Sequence, residues 1–470
     1  MQIADLKDKN IAILGFGLEW KSTLNFLMNQ NAQFKSITIL DVNQHLQTSS
    51  LVGSVTWDEY LERLDQYDII FKSAWIPMGK KLFLHKDKII TQIQFFFDNY
   101  KGRVIAVTAT KGKSTIVSLI FHILKDAWYR VKLVGNIGNP VLDEIDFLEE
   151  FDYVVLELSS YMLDTLKKQN YISVLGSVFP DHLDWHGSFQ AYAKAKLNVL
   201  NGSEYNVAHR KTIQECKLGE QLIAPSSSSN THLISYGSEW KYKRYYGFFM
   251  EDDKKLFSEN DRNILGEHNL DNICAALAVG DVIGLPLKTV HQSIKTFKWL
   301  PHRMENFGVY GWRERVDDAI STTPESTIQA IKTFWKKIDT IFLWGTDRGY
   351  NFNELIKCIL EYKIRNIVLF PDSGKKILEL LKEHIEKYTD ISTADFKHCI
   401  QVQYKHWNHI DNLKIFSTDD MQAAVKFAYM YTEKWKMALL STASPSYSVW
   451  KNFEEKGDLF KKYVKELLDW

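Results

Sequence analysis

An α/β fold with three consecutive domains is the architecture this 470-residue chain predicts, and three observations predict it. Short apolar runs rich in β-branched and aromatic residues alternate with longer amphipathic stretches, the rhythm of βα units and parallel sheets. The alternation restarts near residue 100 and again near residue 302, with no fixed-period repeat. Composition is globular, with 45% hydrophobic and 25% charged residues, so each series can bury a core of its own.

In residues 1–100 the strand candidates are Ile11–Leu14, Ile37–Leu40 and Asp68–Phe71, a small open sheet. Gly15-Phe16-Gly17 follows the first of them and Asp41 the second. A lone G-x-G is a weak signal and equally an ordinary tight βα turn, but it suits a diphosphate resting on a helix N-terminus. Residues 101–302 continue with Val104–Thr108, Val131–Val134, Tyr153–Leu158 and Val174–Phe179, separated by helices; Ser226–Ser229 and Asn230 read as a loop between edge strands. Residues 303–470 offer Ile341–Trp344, Ile367–Phe370 and Ala438–Leu440 as strands and Met421–Tyr431 as a helix.

Charge and cysteine content bound the function. Lys+Arg and Asp+Glu are 58 each, which argues against a dedicated nucleic-acid or membrane-surface binder. Cys216, Cys274, Cys358 and Cys399 are far apart and form no C-x-x-C pair, so neither a disulfide framework nor a zinc knuckle is signalled and a reducing cytoplasm fits. The N-terminus has no apolar h-region, and no stretch approaches the roughly 18 apolar residues of a membrane helix.

The chemistry concentrates in the middle third. Val104–Thr115 reads as a buried strand, a tight turn and a helix start, ending in Thr110-Lys111-Gly112-Lys113-Ser114-Thr115. Gly112 lets backbone N–H groups approach anionic oxygens, Lys113 supplies a point charge for outer phosphates, and Ser114 or Thr115 offers a hydroxyl to Mg²⁺. Ala109 stands where a glycine normally opens such a loop, which removes one permissive backbone position. Glu157 closes an otherwise apolar strand, a costly place for a carboxylate unless it is paired or metal-bound. Asp181-His182-Leu183-Asp184 follows the next strand, on the edge where open α/β sheets hold ligands. Read singly, Glu157 could meet a surface arginine, His182 could be a satisfied structural histidine, and Lys196, on the following helix, would be solvated.

Taken together these pieces resemble the Mur ligase family, the ATP-dependent amide-forming enzymes of peptidoglycan precursor synthesis. The motifs, in family order, are Thr108–Thr115, Gly135-Asn-Ile-Gly138, Glu157-Leu-Ser-Ser-Tyr161, Asp181-His-Leu-Asp184, Ala195-Lys-Leu197, Gly266–Asn272, Leu300-Pro-His-Arg303 and Lys451-Asn-Phe453. The resemblance implies a Rossmann-like first domain (1–100) that grips a UDP-sugar, a central P-loop ATPase-type domain (101–302), and a Rossmann-like C-terminal domain (303–470) that brings the amino acid. Asp318–Pro324, Thr346–Gly349 and Ser441–Phe453 look most like the branch that adds glutamate to UDP-MurNAc-L-Ala.

By match to the motifs, Lys113 would hold the β/γ-phosphates, Ser114 and Glu157 one Mg²⁺, and His182 a second. Lys196 matches a lysine that carries a carbamate, which reverses its solvated reading. Gly15, Gly17, Asp41, Ser73, Asn136 and Ser159 would face the UDP-sugar. Asn269, Asn272, Arg303 and Asp318 would join Thr110 to Thr115 around ATP, and Thr322, Arg348, Ser446 and Phe453 would form the glutamate pocket. The implied protein is a cytoplasmic monomer acting on small molecules, with no nucleic-acid or membrane partner.

Several positions depart from the family pattern. Ser73-Ala74-Trp75 replaces an S-P-G turn whose glycine admits the UDP-sugar, while Ile320 and Arg348 replace lysines of the D-glutamate enzymes. The S-T-T-P and D-R-G pattern is similar to a branch that adds L-glutamate, so the isomer stays open, with D-glutamate favoured. Two other readings remain. One is a superfamily relative of folylpolyglutamate or cyanophycin type, against which the domain before the phosphate loop and Lys451-Asn-Phe453 speak. The other is an inactive nucleotide-sugar-binding protein, suggested by Ala109 and Trp75 but opposed by Lys113, Glu157, His182 and Lys196.

Overall fold

The computed structural model describes residues 1–15, 18–29, 34–41, 52–56, 63–137, 139–167, 170–216, 232–237, 241–264, 266–298, 301–345, 350–406, 409–444, 450 and 452–467. These form two compact units, one of residues 1–263 and 268–297, the other of 264–267 and 298–470.

The first unit contains two sheets. In one, β1 (Asn10–Leu14), β2 (Ser36–Asp41), β3 (Val52–Thr56), β4 (Ile69–Lys72) and β5 (Ile89–Ile90) run parallel in the order β3-β2-β1-β4-β5. Reversal of strand order at β1 opens a crevice at the carboxyl ends of β1 and β4. Gly15 occupies that point with φ +100°; its N–H bonds Leu40 O at 2.9 Å, and an added Cβ would stand 2.9 Å from Ile76 Cδ1. Only glycine fits there without strain.

The other sheet is built on β6 (Val104–Thr108), β7 (Val131–Gly135), β8 (Tyr153–Glu157), β9 (Asn170–Leu175), β10 (Ser203–His209) and β11 (His232–Tyr236), continued by β12 (Tyr242–Tyr245), β13 (Phe248–Glu251) and β14 (Lys254–Ser258). Its order is β14-β13-β12-β11-β10-β9-β6-β8-β7, with β6 central between parallel β8 and β9. β6 and β8 are buried along their whole length, as the near-continuous apolar runs predict.

One strand differs from expectation. The sequence predicts Val174–Phe179, whereas β9 is Asn170–Leu175. After Leu175 the chain leaves the ladder because Gly176 packs on Ala109, where a Cβ would lie 2.6 Å away, and Ser177 O accepts from Thr110 N at 2.7 Å. Apolar Val178 and Phe179 thus belong to a loop under the phosphate turn. The Ser226–Ser229 and Asn230 stretch lies outside the described residues.

The second unit carries β15 (Glu305–Tyr310), β16 (Arg313–Asp318), β17 (Ile338–Gly345), β18 (Asn366–Asp372), β19 (Ile385–Asp390), β20 (Cys399–His406), β21 (His409–Ser417) and β22 (Met437–Ala443). Their order is β15-β16-β22-β17-β18-β21-β20-β19, a parallel centre flanked by antiparallel edges. Helix Met421–Tyr431 forms where its periodicity predicts, capped by the Asp420 side chain accepting from Gln422 N. No described helix is long and apolar enough to cross a membrane.

Candidate active site

The phosphate turn follows β6. Gly112 caps the helix Lys113–Asp126 in the left-handed region (φ +86°), and a Cβ on it would lie 2.5 Å from Asn272 Oδ1. Glycine is therefore required twice over, for its dihedral and for the approach of the helix His268–Ile283. Asn272 Nδ2 bonds Asn269 Oδ1 at 2.8 Å, so both asparagines stand beside the loop in the same unit. Thr110 is tied down by three partners: its N–H to Ser177 O, its hydroxyl to Phe179 O at 3.2 Å, and Tyr192 OH at 2.9 Å. Lys113 Nζ curls back to Ala109 O and Thr110 O, both at 3.0 Å. Lys111 is exposed and reaches Asp181 at 3.6 Å, while Ser114 and Thr115 lie in the first helical turn.

Lys196 overturns its single-residue reading. It is 2% exposed, not solvated, and Nζ donates to Ala109 O at 2.8 Å and Thr108 Oγ1 at 3.3 Å. Burial, aided by the Lys113 charge, pushes its ammonium far below the ordinary lysine range, against the opposing pull of Asp181 and Glu157. Burial thus favours the neutral amine over the ammonium. Tyr192 stands one turn earlier on the same helix, with Lys196 Nζ 5.0 Å from its ring centroid. The i,i+4 spacing of Tyr192 and Lys196 is the one signal in the sequence that could have disclosed Tyr192.

Glu157 ends β8 and is buried. Its Oε1 accepts from Asn136 Nδ2 at 2.8 Å, whereas Oε2 is buried without a hydrogen-bond partner among the described residues. Gly135 (φ +103°) lets this happen, because a Cβ there would meet Glu157 O at 2.5 Å. An orphaned carboxylate oxygen is expensive in a protein interior and is the atom a hard cation would take. The residues present therefore fit Mg²⁺. His182 is half-exposed, in the left-handed region (φ +51°), with Asp181 3.8 Å away. Burial, with smaller contributions from Lys113, Lys196 and Lys111, lowers its pKa despite Asp181, which favours the neutral imidazole that a metal requires.

A cleft of about 900 Å³, open to solvent, lies between the two sheets of this unit and is lined by Ser73, Trp75, Asn136, Ser159 and Met162, among others. Three residues expected to face a UDP-sugar thus share one wall system. Gly15 and buried Asp41 lie at the neighbouring strand ends; Gly17 lies outside the described residues.

The Ser73–Ile76 turn is held without glycine. Lys72 Nζ donates to Ser73 O at 2.9 Å and Ile76 O at 2.6 Å, and Trp185 Nε1 donates to Trp75 O at 2.8 Å. Burial brings the Lys72 pKa down to about 8, opposed by Asp164 and Glu19. The Trp75 indole, 63% exposed, packs on Tyr161 at 4.3 Å, and Tyr161 in turn neighbours His182 at 5.2 Å. Neither Lys72 nor this aromatic chain was foreseen, since both depend on contacts remote in sequence.

In the second unit, Asp318 ends β16, buried, accepting from Ser441 Oγ at 2.7 Å and Met304 N at 3.1 Å. Burial raises its pKa to about 6 against these bonds, Ser321 and Arg303. Phe453 meets the His302 ring at 5.9 Å. Thr322 and Arg303 are partly buried; Arg348 and Ser446 lie outside the described residues. His302, Glu305 and Asp317 are close enough to suggest a metal group, but Lys461 already bridges the two carboxylates as a cation.

Comparison with known proteins follows from this geometry. Residues 107–280 match the Mur ligase middle domain. The chain is similar to UDP-N-acetylmuramoylalanine–D-glutamate ligase of Francisella philomiragia subsp. philomiragia, 29% identical and covering 98% of each chain. It is also similar to UDP-N-acetylmuramoyl-L-alanine–L-glutamate ligase of Salinispora tropica, 26% identical over 99% of each. Among solved structures, the fold resembles MurC from Thermotoga maritima (TM-score 0.58, 15% identity, 98% of this chain and 100% of that one). MurF from the same organism in complex with ADP is similar too (TM-score 0.56, 15% identity, 98% and 96%).

Proposed function

Because the chain belongs to the Mur ligase family, we propose that it is the ATP-dependent enzyme that joins glutamate to UDP-N-acetylmuramoyl-L-alanine, releasing ADP and phosphate. The observation that carries the reading is a phosphate turn set beside a buried carboxylate with one unclaimed oxygen, Glu157 Oε2. The names of relatives similar over 98% or more of their length supply the acceptor and the amino acid.

A carboxylate is a poor acyl donor, so the terminal alanine carboxylate first attacks the γ-phosphorus of ATP, giving an acyl phosphate and ADP. The glutamate amine then attacks the acyl carbon, loses a proton, and phosphate leaves from the tetrahedral intermediate. Little covalent work falls to the protein; its task is positioning and charge stabilisation. Gly112 and the turn's N–H groups cradle phosphate, and Lys113 exchanges its two carbonyl acceptors for β/γ-phosphate oxygens. Asn269 and Asn272, with Arg303 and Asp318, serve the nucleoside. Asn136 and Ser159 orient the acceptor's carboxylate in the cleft, with Gly15, Gly17, Asp41 and Ser73 toward its UDP end. Thr322, Arg348, Ser446 and Phe453 receive glutamate, Arg348 as a bidentate partner for a carboxylate.

Ser114 and Glu157 would hold one Mg²⁺ and His182 a second; when bound, the ions neutralise charge on the phosphoryl oxygens. Lys196 deepens that anionic cradle if its amine, in the neutral form that burial favours, adds to CO₂ with loss of one proton, becoming a carbamate. The division of labour follows 1–100, 101–302 and 303–470, in a cytoplasmic monomer.

We assign D-glutamate as the amino acid. L-glutamate is the second reading, favoured by Ile320 and Arg348 and by the Salinispora tropica relative. The test is phosphate release with UDP-MurNAc-L-Ala, ATP and Mg²⁺ and each isomer in turn. Release with D-glutamate alone supports the assignment, release with L-glutamate alone moves it to the second reading, and release with neither overturns the function. Replacing the acceptor with a folate in the same assay separates the superfamily alternatives.

A further inference from the structure

The parallel strands β16, β22 and β17 begin at Arg313, Met437 and Ile338, so the turns that enter them lie together at the amino edge of the sheet. Asp318 and Ala443 lie at the opposite edge. Each of these turns carries a tryptophan in water: Trp312 is 58%, Trp335 49% and Trp435 69% exposed. Trp312 and Trp435 touch, with ring centroids 5.0 Å apart and Trp435 N–H bonded to Trp312 O at 2.7 Å. Lys436 Nζ bonds Lys336 O at 3.0 Å, which joins the third turn to the pair.

Two of these tryptophans are held in a costly backbone conformation. Trp312 has φ +64° and Trp435 φ +68°. Trp312 follows Gly311, φ +56°, at a hairpin turn where asparagine or glycine is the ordinary choice. A bulky residue kept in the left-handed region and pointed at solvent gains nothing for the fold that glycine would not supply at lower cost.

The charge around them is predominantly positive. The three acids at these strand starts are already held, Glu314 by Lys337 at 2.5 Å, and Asp339 and Glu433 by Arg365 at 2.5 and 2.7 Å. Arg313 donates to the carbonyls of Thr432 and Gly311, and Lys336 Nζ lies over the Trp335 ring, 5.2 Å from its centroid. Among the described residues no acid neutralises Arg313, Lys336, Lys434 or Lys436. Lysine is depleted from protein–protein interfaces, whereas tryptophan mixed with lysine and arginine is the composition of surfaces that rest in lipid headgroups.

We propose that this edge of the C-terminal unit docks on an anionic lipid bilayer, the indoles entering the headgroup layer and the four cations that no described acid pairs meeting phosphate. The formal neutrality of the whole chain conceals it, because the balance is struck over 470 residues and the patch occupies three turns. The inference goes beyond the ligase reading and does not depend on it.

The test is co-sedimentation of the full chain with phosphatidylcholine vesicles containing or lacking phosphatidylglycerol. Binding is expected only with phosphatidylglycerol and is lost at high salt. The variant Trp312→Gly/Trp435→Gly, which relieves the backbone strain and so keeps the fold, should bind at least about tenfold more weakly. Lys336→Glu/Lys434→Glu/Lys436→Glu should lose on the order of a hundredfold. Thermal melting should not fall, and phosphate release in solution should be unchanged, in both. Absence of sedimentation, or binding that the variants leave intact, overturns the proposal. So does a tryptophan-dependent dimer in sedimentation velocity without vesicles, which would make the edge a contact between two copies of this chain.

Discussion

Glu157→Gln should make the protein more stable and nearly inactive. In the isolated protein the glutamine carbonyl can keep the 2.8 Å bond from Asn136, while the unclaimed Oε2 is replaced by a neutral amide nitrogen. A buried polar group without a partner costs about 1–3 kcal/mol, and more when charged, so exchanging an orphaned anion for an orphaned dipole should return about 1 kcal/mol. Burial disfavours the charged form of Lys196 and so weakens the attraction that would offset this. For a unit of this size the gain corresponds to a rise in melting temperature of about 2 °C. Turnover should fall by about 10²–10³, the usual effect of removing one preorganised electrostatic group. The Mg²⁺ concentration for half-maximal rate should rise about 10- to 100-fold. The assay pairs melting in EDTA with phosphate release across a Mg²⁺ titration. Turnover within a few-fold of wild type at unchanged Mg²⁺ requirement would refute the role of Oε2, as would a marked loss of stability in EDTA.

Lys196→Ala should abolish most turnover and recover part of it with added acetate or formate, and wild type in ¹³CO₂ should give a carbamate carbon signal that the variant lacks; rescue without that signal would remove the carbamate. The same substitution strips Thr108 Oγ1 and Ala109 O of a donor, so a loss of about 1–3 kcal/mol is expected on melting. Trp75→Gly removes a 4.3 Å aromatic contact worth about 0.5–1.5 kcal/mol and should raise the KM for the UDP-sugar about threefold to tenfold, leaving the KM for ATP alone; a lower KM would mean that the indole merely obstructs the cleft. Asp318 has a folded pKa near 6, above its unfolded value, so the native state holds the extra proton between about pH 4 and 6. Stability should therefore fall by about 3 kcal/mol as pH rises through that window and then level off, and Asp318→Asn should flatten the profile in urea titrations at fixed pH.

The parts of the fold legible in the sequence were those with a local cause. β6 and β8 are continuous Val/Ile/Leu runs because both their faces are covered, and the helix Met421–Tyr431 declares itself by period and by Asp420 before it. The antiparallel edges were not legible: Tyr242-Lys-Arg-Tyr245 is polar, half-solvated and carries no apolar alternation. Val174–Phe179 was placed too late because apolar residues continue past the point where Gly176 and Ser177 turn under the phosphate loop. At the site, Gly112 and Lys113 announce themselves by spacing, but burial of Lys196 is set by Ala109 and Thr108, more than eighty residues away. Periodicity holds no trace of such a contact.

One position recurs across the three sheets and separates structure from chemistry. Lys72 is the last residue of β4, Glu157 of β8 and Asp318 of β16, and all are buried. The end of a parallel strand is where a side chain can leave the apolar layer, and a charge retained there must be satisfied by something. For Lys72 it is the carbonyls of Ser73 and Ile76, so its charge goes into holding a turn. For Asp318 it is Ser441 and the Met304 N–H, and the carboxyl moves toward its neutral form besides. Glu157 alone keeps an oxygen that no described residue claims. Three equivalent places in the architecture thus carry a buried acid or base, two of them spent within the protein, and the third ends the strand beside the one that leads into the phosphate turn. A divalent ion should accordingly stabilise the unit that contains Glu157 and leave the unit that contains Asp318 unmoved, a difference that hydrogen exchange on the full chain with and without Mg²⁺ resolves segment by segment.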